Sequence, residues 1–291
     1  MKVKIKFGTN YFNSTFNKTK QINMKNKALL VGINKYPNPR NELRGCVNDI
    51  IDMQHFISET HKVYERENIK NLTNENATKK EIVAQINWLI EGAQEGDQLL
   101  FHYSGHGAQA PTLFEAIEKD GLDEIICPYD YDGSNATTIR DKEFALLFAK
   151  IPKGVHFVWI SDSCHAEDLS RDPIMGVQTQ YRNFRGAKQH ALSQEQSHLE
   201  TLGNLAPIMS PLNGALLSAC ASHELSADAF IENRYNGAFT FYLLKNLLEY
   251  GAHKPMELIV QLTNIDLQHN GYDQSPQSEG LMEKKKFFLE K

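Results

Sequence analysis

Three strand-length apolar runs mark the chain: Lys27 to Ile33 (KALLVGI), Gln98 to Tyr103 (QLLFHY) and Val155 to Ser161 (VHFVWIS). None alternates apolar with polar residues, the pattern of strands covered on both faces. Segments of helical period separate them, which predicts an α/β fold with a mostly parallel central sheet flanked by helices. Helices are expected over Cys46 to Thr60, Thr78 to Glu91 (N-cap Thr78 or Asn76), from near Asp141, over Gly237 to Tyr250 and over Pro255 to Gln268. Weaker strands are expected at Ile69 to Leu72, Glu124 to Pro128, Gly214 to Ala219 and Lys286 to Leu289. Residues 167–213 are polar and nearly aperiodic, apart from a helical stretch near Ser193 to Leu202, and a connection this long usually has a function. Residues 1–24 read as an extension of the core, with VKIKF patterned as a charge-guarded edge strand.

Composition narrows the function classes. With 41% hydrophobic and 23% charged residues, the 291-residue chain is of ordinary globular type, and no apolar run approaches the ~20 residues of a membrane span. Thirty-one Lys and Arg against 36 Asp and Glu give a net charge of -5, without a basic stripe for nucleic acid. The first residues lack the apolar stretch of a secretory signal, so a cytoplasmic location is expected. Cys46, Cys127, Cys164 and Cys220 are widely spaced with no Cys-x-x-Cys pair, and are read as free thiols.

In open α/β sheets the chemistry gathers beyond the carboxyl ends of the strands. QLLFHY runs into Ser104-Gly105-His106-Gly107, and VHFVWI into Ser161-Asp162-Ser163-Cys164-His165. If these strands are neighbours, a thiol and an imidazole share one rim, with Cys164 as nucleophile and His106 as base. The amides of Gly107 and Cys164 could then hold the oxyanion of an acyl-transfer intermediate. Each residue alone has a plain structural reading, and a strand-end cysteine is often just a small buried side chain. A zinc reading of His102 and His106 lacks a helix and a glutamate, and SGHGA lacks the Lys-Ser/Thr of a phosphate loop.

HYSGHGAQ and WISDSCH closely resemble the two catalytic signatures of metacaspases and bacterial orthocaspases, caspase-like cysteine peptidases of clan CD. The resemblance extends through LLVGINKYPNPRNELRGCVNDI, DGLDEIICPYD and GALLSACASHELSADAFIENRYNGAFTFYLL, from Lys27 to about Tyr250. It implies a caspase-hemoglobinase fold over residues 25–291, with a large-subunit-like part (25–166), a linker (167–213) and a small-subunit-like part (214–291). It implies a Cys164–His106 dyad with no third member, and an S1 pocket walled by Cys46, Asp49, Ser104 and Asp162. The i, i+3 spacing of Cys46 and Asp49 on one helix agrees with that pocket. Two carboxylates there favour Arg or Lys at P1 and repel an acidic side chain. Autoprocessing in the linker is expected at one of Arg171, Arg182, Arg185 or Lys188. Family members that use calcium carry an aspartate cluster, matched here in part by Asp120, Asp123 and Asp141, with Asp168 or Asp172 beyond Cys164. Arg140 stands where a paired acid belongs, so no cofactor is required on this reading and calcium stays open as an activator. Ala166-Glu167-Asp168 also departs from the usual Ser-Gly after the Cys-His pair. Expected partners are protein or peptide substrates with a basic P1, the chain itself being a monomer. The rival readings are an inactive caspase-like interaction module and a clan CD peptidase with another P1 preference.

Overall fold

A computed structural model describes residues 25–112, 121–164, 179–182, 214–280 and 286–289. In chain order the elements begin with β1 (Lys27–Gly32), α1 (Cys46–His55), β2 (Ile69–Thr73), α2 (Lys79–Ile90), β3 (Gln98–Ser104) and β4 (Gly107–Pro111). They continue with β5 (Leu122–Ile126), β6 (Ile139–Arg140), α3 (Asp141–Phe148), β7 (His156–Asp162), β8 (Thr179–Tyr181) and β9 (Ala215–Ser218). The last are β10 (Ala227–Ile231), β11 (Arg234–Gly237), α4 (Ala238–Tyr250), α5 (Met256–His269) and β12 (Gln277–Glu279). The central sheet runs β12-β9-β7-β3-β1-β2, and every pairing is parallel except that of β12 with β9.

The unbroken apolar runs have the cause their pattern predicts. Along β1, Ala28 and Leu30 join a core under α1, α4 and α5, while Leu29 and Val31 join a core under α2 and α3. Phe144, Phe148 and Trp159 pack with Phe101 in the second core, at centroid distances of 4.7 to 6.0 Å. Helix α1 starts close to the sheet, because a Cβ on Gly32 would lie 2.6 Å from the Cys46 carbonyl. At the start of α2 the Thr78 hydroxyl accepts from the Glu81 amide at 3.3 Å, as its sequence position suggested.

The expected strand at Lys286 to Leu289 does not form. Lys286 makes one isolated bridge to Pro255, while Phe287 and Phe288 turn inward and are fully buried. Phe288 packs on Phe56 and Tyr64 at 6.4 and 5.7 Å. Burying two aromatic rings outweighs the ladder bonds that a short edge strand would add. The sheet edge is filled by β12 instead.

Two small antiparallel sheets sit beyond the carboxyl ends of the central strands. One is β4-β5-β6 and the other β11-β10-β8. The β10–β11 turn uses Glu232 and Asn233, both at positive φ (49° and 66°), as a two-residue hairpin requires.

Candidate active site

Strands β3 and β7 are neighbours in parallel register, with Ser104 opposite Asp162. His106 and Cys164 each follow two residues beyond that pair, so both arrive at the same rim of the sheet. Their surroundings are buried.

His106 is held from several sides. Its amide donates to the Tyr36 hydroxyl at 3.0 Å, and its carbonyl accepts from the Tyr103 hydroxyl at 2.7 Å and the Cys127 amide at 3.0 Å. The ring packs against Tyr36 with centroids 4.9 Å apart. Nε2 lies 2.7 Å from the Asn41 carbonyl oxygen. A carbonyl can only accept, so Nε2 carries the proton and Nδ1 is the basic atom of the neutral ring. Asn41 belongs to a single 3-10 turn, Pro39–Asn41, in the Pro/Asn-rich loop. No third group was expected beside the dyad, and a backbone carbonyl gives no side-chain signal in a sequence. Cys164 Sγ accepts from the Ser226 amide at 2.7 Å and faces the Ser226 carbonyl at 3.3 Å. Cys220 lies beside it; contact with the Cys164 sulfur, then burial, pushes the Cys220 thiol well up and keeps it protonated.

The four expected pocket residues come together, and they enclose a side chain of this same protein. Arg182 is fully buried among them. Its Nη1 donates to Ser104 Oγ (2.6 Å) and to the Asp162 carbonyl (3.0 Å), and pairs in charge with Asp162 Oδ1 at 3.1 Å. Its Nη2 donates to Asp49 Oδ2 (2.7 Å) and Asp228 Oδ1 (3.3 Å). The pocket is braced from behind. Asp49 accepts from Ser104 Oγ at 2.7 Å and the Gly237 amide at 2.8 Å, and Asp162 accepts from Ser226 Oγ and Thr240 Oγ1, both at 2.7 Å. Gly237 is required here, since a Cβ would meet the Asp162 carboxylate and the Arg182 guanidinium. Burial raises the Cys46 thiol well above its usual range, so it contributes a neutral wall.

The backbone of residues 179–182 is bound as well. β8 pairs antiparallel with β10, Tyr181 opposite Ala227 and Thr179 opposite Ala229. The Arg182 amide donates to the Ser226 carbonyl at 3.1 Å, and the Arg182 carbonyl accepts from the Gly107 amide at 3.0 Å. Residues 179–182 therefore lie extended across the rim, with the Arg182 carbonyl on the expected oxyanion donor. Of the other processing candidates, Arg171, Arg185 and Lys188 lie outside the described residues.

Asp228 is a pocket residue that the sequence reading missed. It is fully buried and also accepts from the amides of Arg44 and Gly45, both at 2.8 Å, tying β10 to the start of α1. Its place inside the polar-looking run SHELSADAF hid it.

Of the candidate metal residues, the described Asp123 and Asp141 are paired with cations of this chain. Asp123 accepts from Arg140 Nη1 (2.7 Å), Lys142 Nζ (2.7 Å) and Thr112 Oγ1 (2.6 Å), and Lys142 Nζ also reaches Asp141 at 2.9 Å. A lysine ammonium stands between the two carboxylates that would share the ion. Among the described residues no group of three or more acidic, histidine or cysteine ligands could hold a metal. Asp120, Asp168 and Asp172 lie outside them. His102 is a buried imidazole whose pKa desolvation lowers to about 4, 3.4 Å from Thr240 Oγ1.

Burial raises Asp49 to about 6, the Arg182 cation opposing that rise and the Asp162 charge adding to it. A guanidinium pairs only with the ionised carboxylate. With no cation in the pocket the opposing influence is gone, so the free pocket ionises at a higher pH than the filled one. The affinity of the free pocket for a guanidinium group should therefore fall as pH falls from the free-pocket value to about 6, and this limb should vanish in Asp49→Asn. A pH profile of the binding of a small guanidinium compound checks it.

Comparison with known proteins bears on family and fold. The model of the metacaspase, peptidase C14 domain matches residues 26–171. Metacaspase-1B of Neurospora crassa is 30% identical, over 88% of this chain and 67% of its own length. Metacaspase-1 proteins of Cryptococcus neoformans and Mycosarcoma maydis are each 32% identical over 87% of this chain, and 62% and 69% of their own lengths. The chain thus spans about two thirds of these relatives. A solved protein of Geobacter sulfurreducens superposes with TM-score 0.63 at 22% identity, over 92% of this chain and 100% of that one. Caspase-1 of Spodoptera frugiperda gives 0.57 at 11% identity, over 91% of this chain and 92% of its own. The fold is caspase-like.

Proposed function

Since the chain belongs to the metacaspase peptidase C14 family, whose members are cysteine peptidases, we propose that it is an endopeptidase cleaving after arginine through Cys164 and His106. The observation that carries this reading is the seat of Arg182, with guanidinium, amide and carbonyl each engaged. In this reading His106 Nδ1 takes the Cys164 proton, and the sulfur attacks a carbonyl held by the Gly107 amide, with that of Cys164 beside it. The oxyanion gathers charge where donors are already aimed. The imidazolium then protonates the leaving amine, and water, deprotonated by His106, releases the acyl group. The Asn41 carbonyl orients the ring and fixes its tautomer.

The pocket favours arginine over lysine. The two nitrogens of one planar fork meet three carboxylates, Asp162 on one side and Asp49 and Asp228 on the other, a spread that a single ammonium does not match. Fluorogenic peptides ending in Arg, Lys and Asp test the reading: kcat/KM should fall ~10-fold or more from Arg to Lys, with no hydrolysis after Asp. EGTA or millimolar calcium should leave these values unchanged, because Lys142 and Arg140 already neutralise Asp123. Preferential cleavage after Asp would overturn the pocket assignment. Linker autoprocessing belongs to the same reading, and of the four candidate cations the described structure supports Arg182.

A further inference from the structure

Resting on that peptidase reading, we propose that the chain is held latent by residues 179–182, and that cutting the bond between Arg182 and Asn183 does not by itself open the site. The cut converts a bound substrate into a tethered product.

Residues 179–182 lie in the pose of a P4–P1 segment. Their strand pairs with β10, the Arg182 amide meets Ser226, the carbonyl meets Gly107, and the side chain fills the pocket. Arg182, Cys164, Asp162 and Asp228 are all fully buried, so no second P1 residue fits while this one is seated. Every contact just named is made by atoms at or before the Arg182 carbonyl. Cleavage forms a bond from Cys164 Sγ to that carbonyl carbon and breaks its bond to the Asn183 nitrogen, which takes a proton from His106. Water then replaces the sulfur, leaving Arg182 with a free carboxylate and restoring the thiol. None of the contacts just named is lost in this sequence.

The new end also cannot diffuse away, because residues 165–181 still join it to Cys164. A short tether of this kind holds its end at an effective concentration on the order of millimolar. Competing substrates at lower concentration see a site already filled. Processing and activation are therefore separate events, and full activity needs the segment displaced or removed.

The test compares nicked wild type, cut to completion as judged by intact mass, with Arg182→Gln. The substrate is acetyl-Thr-Gln-Tyr-Arg carrying a fluorogenic amide. Nicked wild type should show a KM at least ~10-fold higher than the variant with kcat within ~2-fold, the pattern of internal competition. The free acid acetyl-Thr-Gln-Tyr-Arg should inhibit the variant competitively. Equal KM values, or an intact 182–183 bond in an enzyme that hydrolyses Arg peptides, would overturn the proposal and leave the peptidase reading standing. If neither protein hydrolyses the peptide and an Arg-chloromethyl ketone leaves Cys164 unlabelled, the peptidase reading falls and takes the proposal with it. Arg182→Met, which also leaves the pocket without a cation, replaces Arg182→Gln in the same comparison if circular dichroism shows that variant unfolded.

Discussion

Cys164→Ala should lower kcat/KM toward Arg-terminated peptides by at least ~10⁴-fold and leave the 182–183 bond intact. Among the described residues the Cys164 sulfur is the nucleophile placed at the rim where a carbonyl sits on the Gly107 amide, and the Ser226 amide holds it at 2.7 Å. His106→Ala should cost a similar factor. The double variant should be little worse than either single one, because the two groups act in one step and their losses do not add. Intact mass reports the processing half of this result and a fluorogenic assay the other. Cuts that persist in Cys164→Ala would come from another protease.

Asp49→Asn should reduce kcat/KM for Arg peptides by about 3 kcal/mol, or ~150-fold, the usual cost of truncating one partner of a buried hydrogen-bonded charge pair. Most of the loss should appear in KM, because the guanidinium is bound equally in ground and transition states. A peptide with citrulline at P1 separates charge from shape. Its kcat/KM should change by less than ~5-fold in the same variant. Equal losses for both peptides would mean that Asp49 braces the Gly237 amide and contributes nothing to P1 charge selection.

The central strands were legible because they are covered on both faces and so read as continuous apolar runs. That made the shared rim of His106 and Cys164 a consequence of topology, once β3 and β7 proved to be neighbours. Strands β10 and β11 were not legible. Their sequence alternates small, acidic and polar residues because β10 faces a peptide and a charged pocket, and Asp228 looks like surface until the fold buries it. Asn41 acts through its backbone, which no side-chain pattern reports. The pair Phe287 and Phe288 has strand-like composition, yet its rings serve as a wedge. The ion pairs of the aspartates were hidden for a similar reason: spacing alone suggested ligands, and only the fold shows that Lys142 lies between Asp123 and Asp141.

The most direct measurement is the mapping of an Arg-chloromethyl ketone adduct by peptide mass spectrometry. One adduct per chain on Cys164 in Arg182→Gln, where the pocket is vacated, formed more slowly when His106 is also alanine and absent with the corresponding Asp reagent, is the expected result. Labelling of Cys46, Cys127 or Cys220 in place of Cys164, or labelling indifferent to the charge of the reagent, would contradict the account.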